Sequence, residues 1–239
     1  MRKLLPICAL LLVANLSTRA DSDHFGNLIF EDTFDRNESQ ELKDEPGNEW
    51  TTSSDKTAKG HKEVDLQDGH MYIYTHAEAN HATSVRHAFE FKDGTLGLRF
   101  KLDDVDDTLT LNFADMDLKT VWAGHLFKVT IGTNETKITD QKTGEMDLKI
   151  RDARKENTLS DKQMAMVSKK SKTFEHNLTT KQWHQVYVTI EGDELHCTIN
   201  NKQVGSFQSE GFAHETKGLL RLLVAKNAYV DDVKIWRKE

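Results

Sequence analysis

Residues 64–74 read VDLQDGHMYIY, and their pattern sets the class of fold. Apolar and polar side chains alternate on both sides of Asp68-Gly69, which is the period of a half-buried β-strand. Asp and Gly both tolerate the positive φ that a tight two-residue turn requires. The stretch therefore predicts an antiparallel β-hairpin with its turn at Asp68-Gly69.

The same pattern continues along the rest of the chain. Short alternating runs are separated by turn residues such as Lys92-Asp93-Gly94, and Pro46 is the only proline after Pro6. Short strands at regular spacing without internal proline are typical of an all-β sandwich of two antiparallel sheets. The further predicted strands are residues 28–30, 84–91, 95–102, 108–114, 125–131, 136–139, 183–191, 194–200, 203–207, 219–225 and 230–236.

Residues 152–173 interrupt the strand pattern. The segment is highly charged, and its few apolar residues allow one short amphipathic helix. It is either a charged surface insertion or a lid over a ligand cleft, because long loops in compact domains often have functional roles. No repeat or linker divides residues 21–239, so we expect one domain.

The first twenty residues have the pattern of a cleavable signal peptide. Arg2 and Lys3 precede an apolar run over residues 4–16, which is too short to span a hydrocarbon core of ~30 Å as a helix. The small residue Ala20 then follows as the last residue of a signal-peptidase site, with cleavage after it. We therefore expect an exported protein, periplasmic or extracellular, that keeps no membrane anchor after cleavage.

Charge and cysteine content exclude further classes of protein. Cleavage after residue 20 removes three basic residues and no acid, which takes the formal net charge from −7 to −10. An acidic exported domain has no electrostatic attraction to nucleic acid or to anionic lipid headgroups. Cys8 would leave with the signal peptide, so Cys197 cannot form an intrachain disulfide. Stability must come from a hydrophobic core.

Several segments together resemble the concanavalin-like lectin and glucanase superfamily, namely Trp183-His184, Gly205-Ser206-Phe207 and the closing residues 229–236, YVDDVKIW. Within it the chain is most similar to the bacterial 3-keto-disaccharide hydrolase domain, which is family-16-glycoside-hydrolase-like. In that domain a V-x-x-x-D-G hairpin, here residues 64–73, precedes a Phe-rich strand, here Phe89-Glu90-Phe91. The resemblance spans residues 32–236.

This resemblance implies a concanavalin-like jelly roll whose concave face binds sugar, and a hydrolase of 3-keto-disaccharides or related glycosides. The opening residues 31–36, EDTFDR, depart from the Phe-Asn-Gly type opening of that family. The alternative function is a non-catalytic jelly-roll module that binds a carbohydrate or another exported protein. Carbohydrate is the expected partner in both main interpretations, and catalysis, sugar identity and oligomeric state stay open.

Strand parity selects candidate sugar-binding groups. In residues 84–91, 95–102 and 108–114 one phase is apolar and the other is polar. Arginine forks and amides suit vicinal hydroxyls, while a carboxylate or histidine can transfer protons. If these consecutive strands are neighbours, their polar phases form one row; the alternative is an ordinary solvated sheet face. By parity, the predicted substrate-binding residues are Arg86, Arg99 and Asn112, and Glu90 is a predicted catalytic residue. His81, Asp115 and His125 lie at strand ends, where loops build sites; His81 is added to the predicted substrate-binding residues, and Asp115 and His125 to the predicted catalytic residues. The alternative for each histidine is a surface or hydrogen-bonded structural role.

Other carboxylates each have two interpretations. Glu63, Asp65 and Asp68 look like the E-x-D-x-x-E strand of family 16 glycosidases, although Asp68 falls in the turn and out of phase; the alternative is an exposed acidic strand. Residues 103–107, DDVDD, form either a calcium site or a solvated acidic turn, because hard oxygen ligands suit Ca²⁺ but EF-hand spacing is missing. No cofactor is certain, and the metal dependence stays open.

Overall fold

A computed structural model describes residues 24–238 of the protein. The predicted signal peptide, residues 1–20, lies outside the described residues. Within residues 24–238, no helix is both long and apolar enough to cross a membrane.

The described chain contains fifteen strands, three short α-helices and a 3-10 helix over Trp122–Gly124. The strands are β1 Asn27–Asp32, β2 Thr51–Thr52, β3 Val64–Gln67, β4 His70–Tyr74, β5 Thr83–Phe91, β6 Gly94–Lys101, β7 Leu109–Ala114, β8 His125–Ile131, β9 Glu135–Asp140, β10 Ser171–Glu175, β11 Trp183–Glu191, β12 Glu194–Ile199, β13 Lys202–Gln208, β14 Lys217–Val224 and β15 Asn227–Arg237. The helices are α1 Ser54–Thr57, α2 Leu148–Lys155 and α3 Asp161–Ser168.

The strands form two antiparallel sheets, which confirms the predicted all-β sandwich. The eight-stranded sheet has the order β13-β12-β11-β6-β15-β4-β3, with β1 also paired to β15. The seven-stranded sheet has the order β10-β9-β8-β7-β14-β5-β2.

The predicted adjacency of β5, β6 and β7 is wrong. β6 pairs with β11 and β15 in the eight-stranded sheet, whereas β5 and β7 lie on either side of β14 in the seven-stranded sheet. Consecutive strands thus alternate between the two sheets. The alternation of apolar and polar residues allows this, because a strand with one apolar face can bury that face in the intersheet core from either sheet. Arg99, on β6, is therefore separated from Arg86 and Asn112.

Alternating side chains fill the space between the sheets. Leu98 and Phe100 from one sheet and Leu111, Phe113 and Leu222 from the other are at most 1% exposed and belong to one cluster. Burial of apolar surface, at roughly 25 cal/mol per Å², is the main source of stability in a chain without a disulfide. Cys197 is free and buried here, and burial raises the pKa of its thiol to about 12.

The hairpin of residues 64–74 forms as predicted. Gln67 pairs with His70, and Asp68 and Gly69 have φ values of 51° and 72°. Both turn residues therefore occupy the left-handed region that a two-residue hairpin turn needs.

Replacing Gly69 with valine should lower the free energy of unfolding by about 1 kcal/mol or more, because a β-branched residue is strained at φ 72°. The new Cβ would also approach Asp35 Oδ1 to 2.9 Å. The matched control is Gly132→Val, where φ is not positive and the nearest atoms to a Cβ lie 3.6 Å away. Equal urea midpoints for the two variants would show that the turn imposes no strain.

His87 lies in the core phase of β5 and is 4% exposed, and its ring centroid lies 3.7 Å from that of Phe30. Neither ring nitrogen has a hydrogen-bond partner among residues 24–238, and burial lowers the pKa of the imidazole. A buried polar group without partners destabilises the fold.

We expect His87→Phe to raise the free energy of unfolding by about 1 kcal/mol, since it removes two unsatisfied nitrogens. The matched control is His184→Phe. His184 is also buried, but its ring nitrogens bond to Thr179 and Asn200 at 2.9 Å, so this variant should be destabilised. Chemical denaturation measures both, and a less stable His87→Phe would refute the expectation.

The predicted insertion, residues 152–173, contains more structure than one short helix. Asp147 caps α2 by accepting hydrogen bonds from the N–H groups of Lys149 and Ile150, and Ser160 with Gln163 forms a capping box at α3. The segment then enters β10, an edge strand paired with β9. The helices begin where these caps satisfy the first free backbone N–H groups.

Candidate functional site

A row of polar residues crosses the centre of the seven-stranded sheet. Arg86 on β5 pairs with Arg221 on β14, Arg221 pairs with Asn112 on β7, and Asn112 pairs with Lys128 on β8. Their strand neighbours, such as Leu220 and Leu222, fill the intersheet core, so the row points away from it. We call the surface that carries these four residues the front face.

Asn112 is the hub of the row and is fully buried. Its Nδ2 donates to the carbonyl oxygen of Phe127 at 3.1 Å and to Oε1 of Gln141 at 2.7 Å. Its Oδ1 accepts from Arg221 at 3.1 Å and lies 3.0 Å from Nδ1 of His125. All polar atoms of this amide are therefore used, which fixes its orientation.

The cluster contacts His125 through Nδ1. This nitrogen lies 3.0 Å from Oδ1 of Asn112 and 3.1 Å from Nη1 of Arg221; it donates to Asn112 in the tautomer with the proton on Nδ1, and accepts from Arg221 in the other tautomer. Nε2 has no hydrogen-bond partner among residues 24–238, so it is the ring nitrogen that a ligand can contact. Burial, followed by the positive charges of Arg221 and Lys128, lowers the pKa of His125 to about 4. The ring is neutral at pH 7.

Two loop segments cover part of the front face. Residues 115–124 lie over Arg221, whose guanidinium donates to the carbonyl oxygen of Ala123 at 2.7 Å and to the sulfur of Met116 at 3.1 Å. Residues 141–147 supply Glu145, which bonds to Lys128 at 3.2 Å and to Gln141 at 3.1 Å. Burial opposes ionisation of Glu145, but these partners outweigh it and lower its pKa.

Trp122 stands at the edge of this cover. Its side chain is 48% exposed, and the Arg151 guanidinium from α2 lies 3.7 Å from its ring centroid. The backbone holds the two segments together, because Trp122 N–H donates to Met146 and Leu148 N–H donates to Thr120. An exposed indole next to a polar cluster is a surface on which a sugar ring can stack.

Beside the cluster, the front face has a small cavity of about 200 Å³ over β8 and β9. Its lining includes Lys128, Glu145, Thr130, Lys137 and Glu135. This volume is below the ~300–1,000 Å³ of pockets that enclose a drug-sized ligand. It suits one polar group of a ligand that lies mostly on the open face.

No family model and no curated protein sequence match this chain. Solved structures do match. SCLam, a non-specific endo-β-1,3(4)-glucanase from family GH16, is 12% identical with a TM-score of 0.60, covering 89% of this chain and 91% of that one. The β-glucanase of Bacillus licheniformis is 10% identical with a TM-score of 0.57, over 89% and 99% of the two chains. Carbohydrate-binding module CBM66 from Bacillus subtilis is 11% identical with a TM-score of 0.50, over 77% and 93%.

At such low identity these structures establish the fold. The fold is a concanavalin-like jelly roll. The jelly-roll fold implied by the resemblance at residues 183–184, 205–207 and 229–236 is thereby confirmed, whereas the 3-keto-disaccharide hydrolase domain itself stays a prediction.

The jelly roll brings together some of the predicted site residues. Arg86 and Asn112 share the front face with Arg221 between them, and His125 joins Asn112. The side-by-side placement of Arg99 with them is wrong. Arg99 lies in the eight-stranded sheet, where it forms ion pairs with Asp231 at 3.2 Å and Asp232 at 3.4 Å.

The remaining predicted residues lie outside the cluster. Glu90 is exposed, in the stretch of β5 where the register with β14 shifts. His81 is exposed before β5 and contacts Asn80 at 2.7 Å. Asp115, at the end of β7, pairs with His214 at 2.8 Å. Burial opposes ionisation of Asp115, but the bond to His214 and backbone N–H groups outweigh it and lower its pKa.

The acidic motifs have structural partners. Glu63 is buried and accepts from the N–H of His76, while Asp65 pairs with Lys62, so the two do not form a carboxylate pair across a cleft. In the 103–107 turn, Asp107 accepts from the backbone N–H groups of Asp103 and Asp104.

Among residues 24–238, one cluster of three carboxylates has the spacing of metal ligands. It consists of Glu38, Glu41 and Asp65. The ammonium of Lys62 contacts all three, at 2.8, 2.6 and 2.5 Å. A lysine therefore occupies the position that a cation would take.

Several residues of the cluster were missed in the sequence, namely Arg221, Lys128, Gln141 and Glu145. The sequence does contain an indication of Arg221, since it is the one charged residue within the apolar stretch 219–225. No sequence pattern indicates Gln141 or Glu145, because they reach the sheet from a loop whose path depends on tertiary contacts.

Proposed function

We propose that the protein is an exported carbohydrate-active domain that binds a glycoside on the front face, at Arg86, His125 and Arg221, with the buried Asn112 holding His125 and Arg221 in place. The observation that supports this most is the row of planar donors and acceptors across adjacent strands, with the exposed indole of Trp122 at its edge. Adjacent strands lie ~4.8 Å apart, so the row has the dimensions of one or two sugar rings.

The solved structures of similar fold support the same ligand class. Two of them are glucanases and one is a carbohydrate-binding module. A fold does not by itself give a function, so the argument rests on the groups present at the site.

We further propose cleavage of glycosides that carry a ketone at C3. The ketone acidifies the proton at C2, and His125 Nε2 would take that proton to give an enolate. The enolate electrons form the C1–C2 double bond as the C1–O bond breaks, and the departing oxygen takes a proton from the imidazolium. Water then adds across the double bond. This route uses a neutral histidine and nearby cations, and needs no pair of carboxylates.

The orientation of His125 supports this route. Both contacts of the ring with the cluster use Nδ1, and in the tautomer whose Nδ1–H donates to Asn112 the Nε2 lone pair is the proton acceptor. Arg221 is close enough to stabilise negative charge on an enolate oxygen, since its guanidinium lies 3.1 Å from the same imidazole. A non-catalytic binding module is the alternative, because the pKa of about 4 makes His125 a weak base.

Turnover of a chromogenic 3-keto-glucoside, together with calorimetric binding of the parent glucoside, tests the proposal. Release of the chromophore that depends on His125 supports the catalytic function. Binding without release supports a binding module. If no member of a panel of glycosides is bound and none is cleaved, the carbohydrate function is refuted.

A further inference from the structure

Arg86 and Arg221 face each other directly on neighbouring strands of the front face. Directly opposite residues have Cβ atoms ~4.5–5.5 Å apart, and like charges at that spacing destabilise a sheet. Neither arginine forms an ion pair within residues 24–238. The partner of Arg86 is the hydroxyl of Ser84, at 3.0 Å.

Arg221 is only 6% exposed, and each of its hydrogen-bond partners is neutral. They are the amide of Asn112, the ring of His125, the sulfur of Met116 and the carbonyl of Ala123. Burial, followed by the charge of Arg86, lowers the pKa of the guanidinium to about 10. A buried charge without a counterion is costly, and proteins ordinarily pair it.

Met116 marks the direction from which a counterion can arrive. Its side chain is 52% exposed, yet its sulfur takes one N–H of Arg221 at 3.1 Å. A thioether is a weak acceptor on a flexible side chain, so an anionic oxygen can displace it readily. The other cation of the row, Lys128, already has Glu145 as its partner.

From this geometry we infer that the Arg86–Arg221 pair binds an anionic group of the saccharide, either a uronate carboxylate or a sulfate ester. This inference rests on the proposed function and narrows its substrate class to acidic glycosides. Both anions offer planar or tripodal oxygens that two guanidinium forks can hold with charge-assisted hydrogen bonds. Because the protein as a whole is acidic, it repels anions elsewhere on its surface, and an anionic saccharide is attracted to this cationic pair.

The test measures thermal unfolding of the mature chain with D-glucuronate, inorganic sulfate or D-glucose, at constant ionic strength. The variants are Arg86→Gln and the control Lys56→Gln, which removes the same charge from an exposed position on α1. Glucuronate or sulfate at about 100 times its Kd should raise the Tm of wild type and Lys56→Gln by about 5–10 °C. Arg86→Gln should show no such rise.

Without ligand, Arg86→Gln should have a Tm about 1–3 °C above wild type, because it relieves the repulsion of Arg221. If Arg86 had only a structural role, Arg86→Gln would have a lower Tm than wild type. Equal anion-induced shifts in wild type and Arg86→Gln, or none in wild type, would overturn the inference.

An array of uronate-containing and sulfated glycans with their neutral counterparts separates this inference from the proposed function. Preferential binding of the uronates identifies the carboxylate as the anion, and preferential binding of the sulfated members identifies the sulfate ester. Equal binding of neutral members would leave the carbohydrate function standing and refute the anionic one. Stabilisation by sulfate without binding of any glycan would refute both the saccharide ligand and the carbohydrate function.

Discussion

Replacing His125 with alanine should lower kcat/KM for a 3-keto-glycoside by about 10²–10⁴-fold, the usual contribution of a positioned proton-transfer group. Binding of the unoxidised glycoside should change much less, because Nε2 acts on the C2 proton. The matched control is His196→Ala, a half-exposed histidine on the eight-stranded sheet, which should retain wild-type turnover. Equal losses in the two variants would rule out a specific role for His125.

The pH dependence of this reaction should follow the lowered pKa of His125. The neutral ring is the active base, and it predominates above about pH 4 because burial and Arg221 disfavour the imidazolium. Turnover should therefore rise with pH through about 4 and then stay level across neutrality. A rise centred near ~6.5, the ordinary pKa of histidine, would contradict the buried geometry.

Replacing Asn112 with leucine should lower the free energy of unfolding by about 3 kcal/mol or more. The variant removes the hydrogen bonds of Asn112 to the carbonyl of Phe127, to Oε1 of Gln141 and to one N–H of Arg221, all in a buried location. Each unsatisfied buried group costs ~1–3 kcal/mol, and members of a network reinforce one another. Urea denaturation measures the loss.

Thr110→Val is the control for this variant. Thr110 lies two residues earlier on the same face of β7, and its hydroxyl bonds to that of Thr130 at 3.0 Å. It is only partly buried, so water can replace the lost bond and the cost should stay below about 1 kcal/mol. A loss for Asn112→Leu no larger than that for Thr110→Val would show that Asn112 is not the hub of the site.

The strands were largely predictable because alternation is a local property. The pattern of residues 64–74 gave both strands and the turn, and Trp183–Glu191 was predicted with its observed bounds. β10 was missed because Ser171–Glu175 is an edge strand with mostly exposed side chains and no apolar phase. Its position follows from pairing with β9, which the sequence does not show.

The choice of sheet for each strand was not predictable from alternation. An apolar phase shows that a strand has a buried face, but it does not show which sheet the strand joins. Arg99 was therefore grouped with Arg86 and Asn112, whereas Arg221, more than one hundred residues away in sequence, is the residue that lies between them. The cover over the site, residues 115–124 and 141–147, has no periodicity and depends on tertiary contacts.

A crystal soaked with a mixture of neutral and acidic oligosaccharides tests the location of the binding site most directly. We predict a sugar on the front face, with hydrogen bonds to His125 Nε2 and Arg86 and a ring stacked beside Trp122. The outer face of the eight-stranded sheet carries its own aromatic cluster of Tyr72, Tyr229 and Trp183. A sugar bound there, with the front face empty, would contradict the proposed site.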